Sequence, residues 1–66
     1  MQVSVNGESK ELAAAMTVEE FLKDLGVDPR KVAVERNLEI VPKSSFAHMK
    51  IEDGDRLEIV QFIGGG

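Results

Sequence analysis

The sequence predicts an α+β fold, a mixed sheet of four to five strands packed on one main helix. Three observations lead there. Asn6-Gly7 joins two short segments of strand character. Thr17-Val18-Glu19-Glu20 opens a stretch with helical spacing of its apolar residues. Three further short runs, rich in Val and Ile, follow that helix. With 66 residues the chain holds one domain, and folding at this size buries only about 60% of the unfolded surface, so the core is small.

The elements follow in order. Met1 to Asn6 sets Val3 and Val5 on one face against Gln2, Ser4 and Asn6 on the other, the period of a half-buried strand. Asn6-Gly7 suits a type I′ turn, which needs positive φ twice. The returning strand spans roughly Glu8 to Leu12, with Leu12 as its clearest inward residue; Glu8, Lys10 and Glu11 mark it as an edge. Thr17 and Glu20 fit a capping box, and Val18, Phe21, Leu22 and Leu25 form the apolar stripe of a helix ending at about Leu25. Gly26 stands where a left-handed C′ residue is wanted, and Met16 is placed to pack against Phe21 as a staple.

Asp28-Pro29 makes the connection to a strand over Lys31 to Arg36, which alternates Val32 and Val34 with Ala33 and Glu35. Asn37-Leu38-Glu39 turns into the short strand Ile40-Val41, closed by Pro42. Ser44 is expected to cap a single turn through Ala47, with Phe46 and Met49 under the sheet. Ile51 leads into the turn Asp53-Gly54-Asp55 and the final strand, Leu57 to Phe62. There Leu57 and Ile59 share one face, while Val60 and Phe62 fall on the side of Arg56 and Glu58. One helix covers only one face of a sheet, so Val60 and Phe62, together with Ile63, are expected to form an exposed docking patch.

Composition excludes several classes of chemistry. The chain has no cysteine, which removes disulfides, thiolate nucleophiles and sulfur-ligated metals. Its net charge of −4 argues against nucleic acid and favours a partner with a basic surface. No apolar run approaches the ~20 residues of a membrane span, and the opening residues lack the apolar region of a secretory leader. A cytoplasmic location is expected. His48 is the only histidine and has no companion ligands; Asp53-Gly54-Asp55 is far short of a calcium loop. The serines lack any context suggesting a nucleophile with an oriented base. No catalytic side chain and no bound cofactor or metal is therefore assigned, and the protein is read as one acted on by others rather than an enzyme.

The remaining feature is the end of the sequence, Ile63-Gly64-Gly65-Gly66. We place the domain over residues 1–63 and a flexible tail over 64–66. Glycine suits a segment threaded into a narrow cleft, and three extended residues reach about 10 Å. Such a tail would carry the Gly66 carboxylate into another protein's active site while the domain rests at its mouth. Adenylation is the usual way to make a carboxylate reactive.

The whole chain resembles the thiamine-biosynthesis sulfur carrier (ThiS) family, whose fold is the ubiquitin-like β-grasp. The resemblance rests on Thr17-Val18-Glu19-Glu20-Phe21-Leu22, Val34-Glu35-Arg36-Asn37, Ile40-Val41-Pro42-Lys43, Asp53 through Val60, and the closing Gln61-Phe62-Ile63-Gly64-Gly65-Gly66. Glu35 departs from the pattern, which has a smaller residue there, in a place that leaves the tail untouched. The resemblance implies that an E1-like adenylyltransferase activates Gly66 with ATP and magnesium, and that a persulfide donor converts the adenylate to a thiocarboxylate. Thiazole synthase then takes the sulfur. Gly65 and Gly66 match the family's shared ending and Gly64 extends it. The small subunit of molybdopterin synthase is the nearest alternative, with similar activation chemistry and a Pro-Pro-Val-Ser-Gly-Gly type of ending in place of this one. A ubiquitin-like protein modifier and a passive interaction module are the others. The free chain is expected to be monomeric, without affinity for nucleic acid or membrane.

Overall fold

A computed structural model describes residues 1–62. Strand β1 (Gln2–Val5) turns through Asn6 (φ 51°) and Gly7 (φ 86°) into β2 (Glu8–Glu11). Val5 faces Glu8 across this two-residue loop, the register a type I′ turn imposes. All four residues of β2 are exposed, as its charged sequence predicts for an edge, and Leu12 is buried immediately after it.

Helix α1 (Val18–Asp24) begins with the expected capping box. The Glu20 amide donates to Thr17 Oγ1 at 3.2 Å and the Thr17 amide to Glu20 Oε1 at 2.9 Å. The amides of Val18 and Glu19 donate to the Met49 and Phe46 carbonyls at 2.9 and 3.0 Å. Each of these first-turn donors thus has a partner, a condition a seven-residue helix on a small core needs to meet. At the other end Leu25 is the cap rather than the last helical residue. Gly26 follows with φ +78°, and the bonds Val27 N–H to Leu22 O and Gly26 N–H to Lys23 O complete a Schellman motif. Met16 is half-buried and packs on the core cluster.

A 3₁₀ turn over Pro29–Lys31, capped by Asp28, precedes β3 (Val32–Arg36). Lys31 therefore ends a turn instead of starting the strand. Strand β4 (Glu39–Val41) returns after Asn37 (φ 52°) and Leu38 (φ 71°). A second 3₁₀ turn, Lys43–Ser45, has Pro42 at its cap position and no side-chain cap bond. Ser44 lies inside that turn, so the expected Ser44 cap is corrected; proline's fixed φ of −62° sets up the turn without it. Phe46 is buried and Met49 half-buried beneath the sheet, as expected. Strand β5 (Arg56–Gln61) follows the Gly54 turn.

The five strands lie in the order β2-β1-β5-β3-β4. β1 and β5 are parallel and the other neighbours antiparallel. A parallel pair needs a long crossover, supplied here by α1 and the β3–β4 hairpin. α1 packs Val18, Phe21 and Leu22 against Val3, Val32, Val34, Val41 and Leu57 of the sheet. Phe21 is 2% and Leu22 0% exposed; truncating either to alanine would cost about 2–5 kcal/mol, a large part of what so small a domain has to lose. The last strand of the sequence thereby occupies the middle of the sheet.

Candidate functional site

The site is the far end of β5, where the chain leaves the sheet. Two turn asparagines hold this strand from opposite sides. On the β1 side, Asn6 Oδ1 accepts from the Ile59 amide at 2.8 Å, Asn6 Nδ2 donates to the Ile59 carbonyl at 3.2 Å, and the Asn6 amide donates to Leu57 O at 2.9 Å. On the β3 side, Asn37 Oδ1 accepts from the Arg56 amide at 2.9 Å and the Asn37 amide donates to Arg56 O at 2.8 Å. These bonds extend the ladders beyond the paired residues, so β5 is fixed along its length while its final residues approach the edge of the domain.

Side chains on β5 alternate as read from the sequence. Leu57 is 1% exposed and Ile59 half-buried on the core side. Val60 and Phe62 are 61% and 58% exposed on the opposite face. These two residues are exposed as expected; Ile63, the third residue expected in the patch, and Gly64, Gly65 and Gly66, the expected tail and sulfur-carrying residue, lie outside the described residues. Val60 sits directly across from Ala33 on β3, whose small side chain leaves it open.

Phe62 is fastened rather than trailing. Its amide donates to the Lys31 carbonyl at 2.9 Å. Lys43 Nζ stands 4.8 Å from the centre of its ring, a cation–π distance, and the same ammonium donates to the Arg30 carbonyl at 2.9 Å. Nearby, Asp28 holds Arg30 in a two-pronged ion pair, with Nε–Oδ1 3.2 Å and Nη2–Oδ2 2.9 Å. Side-chain and then backbone hydrogen bonds from Arg30 lower the Asp28 pKa to about 2.

Lys43 at the ring, and the exposed Leu38 (70%) and Ile40 (76%), are features of this surface that sequence reasoning did not single out. Ile40 carried a signal: Ile40-Val41 is an apolar pair in a three-residue strand, so one of the two must face outward, and Val41 is the buried one. His48 is exposed in its loop. Among the described residues no group of three or more His, Asp or Glu side chains is placed to hold a metal ion. No helix among them is long and apolar enough to cross a membrane.

Comparison with known proteins adds family and fold relationships. The model of the ThiS family matches residues 3–66. A protein from Paramagnetospirillum magneticum named thiazole synthase is 65% identical over the whole chain, which spans 20% of that relative's length. The sulfur carrier protein ThiS of Escherichia coli is 35% identical over 66 residues, the full length of both. The crystal structure of a thiamine biosynthesis protein (ThiS) from Geobacter metallireducens superposes with a TM-score of 0.86 at 33% identity, covering 100% of both chains.

Proposed function

The chain belongs to the ThiS family of β-grasp proteins, and from that premise we propose that it is the sulfur carrier of thiazole formation in thiamine biosynthesis. The observation that carries the proposal is the placement of β5: a central strand, locked by Asn6 and Asn37, delivers Phe62 to the edge of the sheet immediately before Ile63-Gly64-Gly65-Gly66.

In this reading the Gly66 carboxylate is the group acted on. An E1-like adenylyltransferase, using ATP as its own substrate with magnesium on the phosphates, lets a carboxylate oxygen attack the α-phosphorus. Pyrophosphate leaves and an acyl-adenylate forms. A persulfide then attacks the acyl carbon and AMP departs; thiol cleavage of the new sulfur–sulfur bond leaves the thiocarboxylate. Thiazole synthase receives that sulfur, and the carboxylate is restored. The domain contributes docking, through Val60, Phe62 and Ile63, and a tail without side chains to obstruct the partner's cleft. Similarity to a protein named thiazole synthase and to ThiS proteins supports the choice of thiazole formation. The carrier works in the cytoplasm and is monomeric when free.

The test is intact mass after incubation with the adenylyltransferase, ATP, magnesium and a persulfide donor. The expected result is a gain equal to exchange of one oxygen for sulfur, mapped to Gly66 and absent when Gly66 is deleted. An unchanged mass with an enzyme that activates another ThiS protein would overturn the proposal. Val60→Asp and Phe62→Asp, with the fold intact, should each weaken binding to the activating enzyme; unchanged affinity removes the docking patch from the reading.

A further inference from the structure

The uncovered face of the sheet sets two carboxylates against each other. Glu35 on β3 is the cross-strand partner of Glu58 on β5, and both are half-buried. Side chains opposed in this way start about 4.5–5.5 Å apart at Cβ, and like charges there are destabilising. Among the described residues Glu35 has no ion pair, and Arg56 approaches Glu58 only at 3.9 Å. The partner of Glu35 on its other side is Ile40, 76% exposed. One row nearer the end of β5, Val60 is 61% exposed opposite Ala33. The face therefore joins a cross-strand acidic pair to uncovered apolar side chains, in continuity with the tail root.

Resting on the carrier reading above, we infer that Glu35 and Glu58 together receive one arginine of thiazole synthase, with an apolar side chain of the same partner covering Ile40 and Val60. A planar guanidinium with five donors bridges two carboxylates, where an ammonium would act as a single point. The net charge of −4 favours a basic partner surface. Thiazole synthase is the occupant of the acidic pair, with Val60 serving the activating enzyme at the earlier step as well, because the relative 65% identical to this chain carries the matching segment and the name thiazole synthase in a single polypeptide.

The experiment is calorimetric titration of the full chain with the thiazole synthase of its source organism, for wild type, Glu35→Gln, Glu58→Gln and the double variant. Each titration is run at about 50 and 300 mM salt, which brackets the change in Debye screening. Thermal melts of the free chains accompany them. The free variants should melt a few degrees higher, since repulsion is relieved, while their complexes weaken about tenfold for the double variant with a flatter salt dependence. That opposition of signs separates recognition from a structural role. Affinities and salt slopes equal to wild type would overturn the acidic receptor and leave the carrier proposal standing. An effect confined to the activating enzyme, or to self-association of the chain, would overturn it by placing a different occupant on the face. Failure of the wild type to bind any thiazole synthase overturns both this inference and the thiazole assignment, whereas the mass test on Gly66 would still report on sulfur carriage alone.

Discussion

Lys43 Nζ lies 4.8 Å from the centre of the Phe62 ring while donating to the Arg30 carbonyl at 2.9 Å. One side chain thus ties Phe62, the residue just after β5, to the turn beside it, next to the bond from the Phe62 amide to Lys31 O. The contact is exposed, so its worth is about 0.5–1 kcal/mol. Replacing Lys43 with Met should leave global stability within about 1 kcal/mol. It should nevertheless speed hydrogen exchange at the Phe62 amide several-fold and slow thiocarboxylate formation. Amide exchange followed by NMR reads the first effect directly; an unaltered Phe62 amide would mean that the Lys31 carbonyl alone anchors the strand end.

Asp55 is the one buried charged residue of the described chain, 5% exposed. It accepts from the Glu52 amide at 2.8 Å and from Asn37 Nδ2 at 3.1 Å, and Arg36 Nε makes an ion contact with it at 2.9 Å. Through Asn37 it organises the start of β5. Asp55→Ala should destabilise the fold by about 2–4 kcal/mol, because it strands the half-buried Arg36 as well as the polar groups around it. Urea denaturation measures this. A loss below about 0.5 kcal/mol, the range of an ordinary surface change, would show that Arg36 reorients to Glu52 and solvent at little cost.

The extent to which this was legible in the sequence follows the range of the forces involved. Thr17 and Glu20, Gly26 and Asn6-Gly7 act within a few residues, so the cap, the helix end and the first hairpin could be read directly, and so could the outward pair Val60 and Phe62. Asp55 was read correctly as part of a turn, but its partners Asn37 and Arg36 lie 18 and 19 positions away, and no local pattern announces them. The cap at Pro42 in place of Ser44 reflects two local signals in competition, with proline's fixed backbone prevailing over a hydroxyl. Lys43 over Phe62 and Glu35 against Glu58 depend on strand order, which places the last strand between the first and third. Alternation shows which face a residue occupies, but the register decides what stands opposite it.

Leu38 adopts φ +71° and is 70% exposed. Asn37 before it tolerates that region, whereas a leucine there is strained by roughly 1–2 kcal/mol. Leu38→Gly relieves the strain, at some cost in unfolded-state entropy, and should raise stability by about 0.5–1 kcal/mol in urea denaturation. A variant no more stable than wild type would show that Leu38 makes compensating contacts along the hairpin. If stability rises while affinity for a partner falls, the leucine is retained for recognition at the expense of the turn.

The acid limb of stability should carry the signature of Asp28. Its carboxylate is held near 2, below its ordinary 3.8, first by the side-chain hydrogen bonds from Arg30 and then by the Arg30 amide. Glu20 is likewise lowered below its ordinary 4.5, first by the Thr17 amide and then by the Thr17 hydroxyl. A carboxylate lowered in the folded state binds protons more weakly there than in the unfolded chain. Its contribution is complete above the unfolded pKa and is lost as pH falls through the folded one. For Asp28 that window runs from 3.8 down to about 2. Asp28→Asn keeps an acceptor at the cap of the 3₁₀ turn and removes the charge. Its melting temperature should lie below wild type near neutral pH, and the two should converge as pH drops through that window. Since Asp28 and Arg30 are at the surface, raised salt should shrink the neutral-pH gap. Thermal melts between about pH 2 and 7 test the direction: a gap that stays constant down to the acid end would assign Asp28's effect to the neutral geometry of the cap, not to its charge.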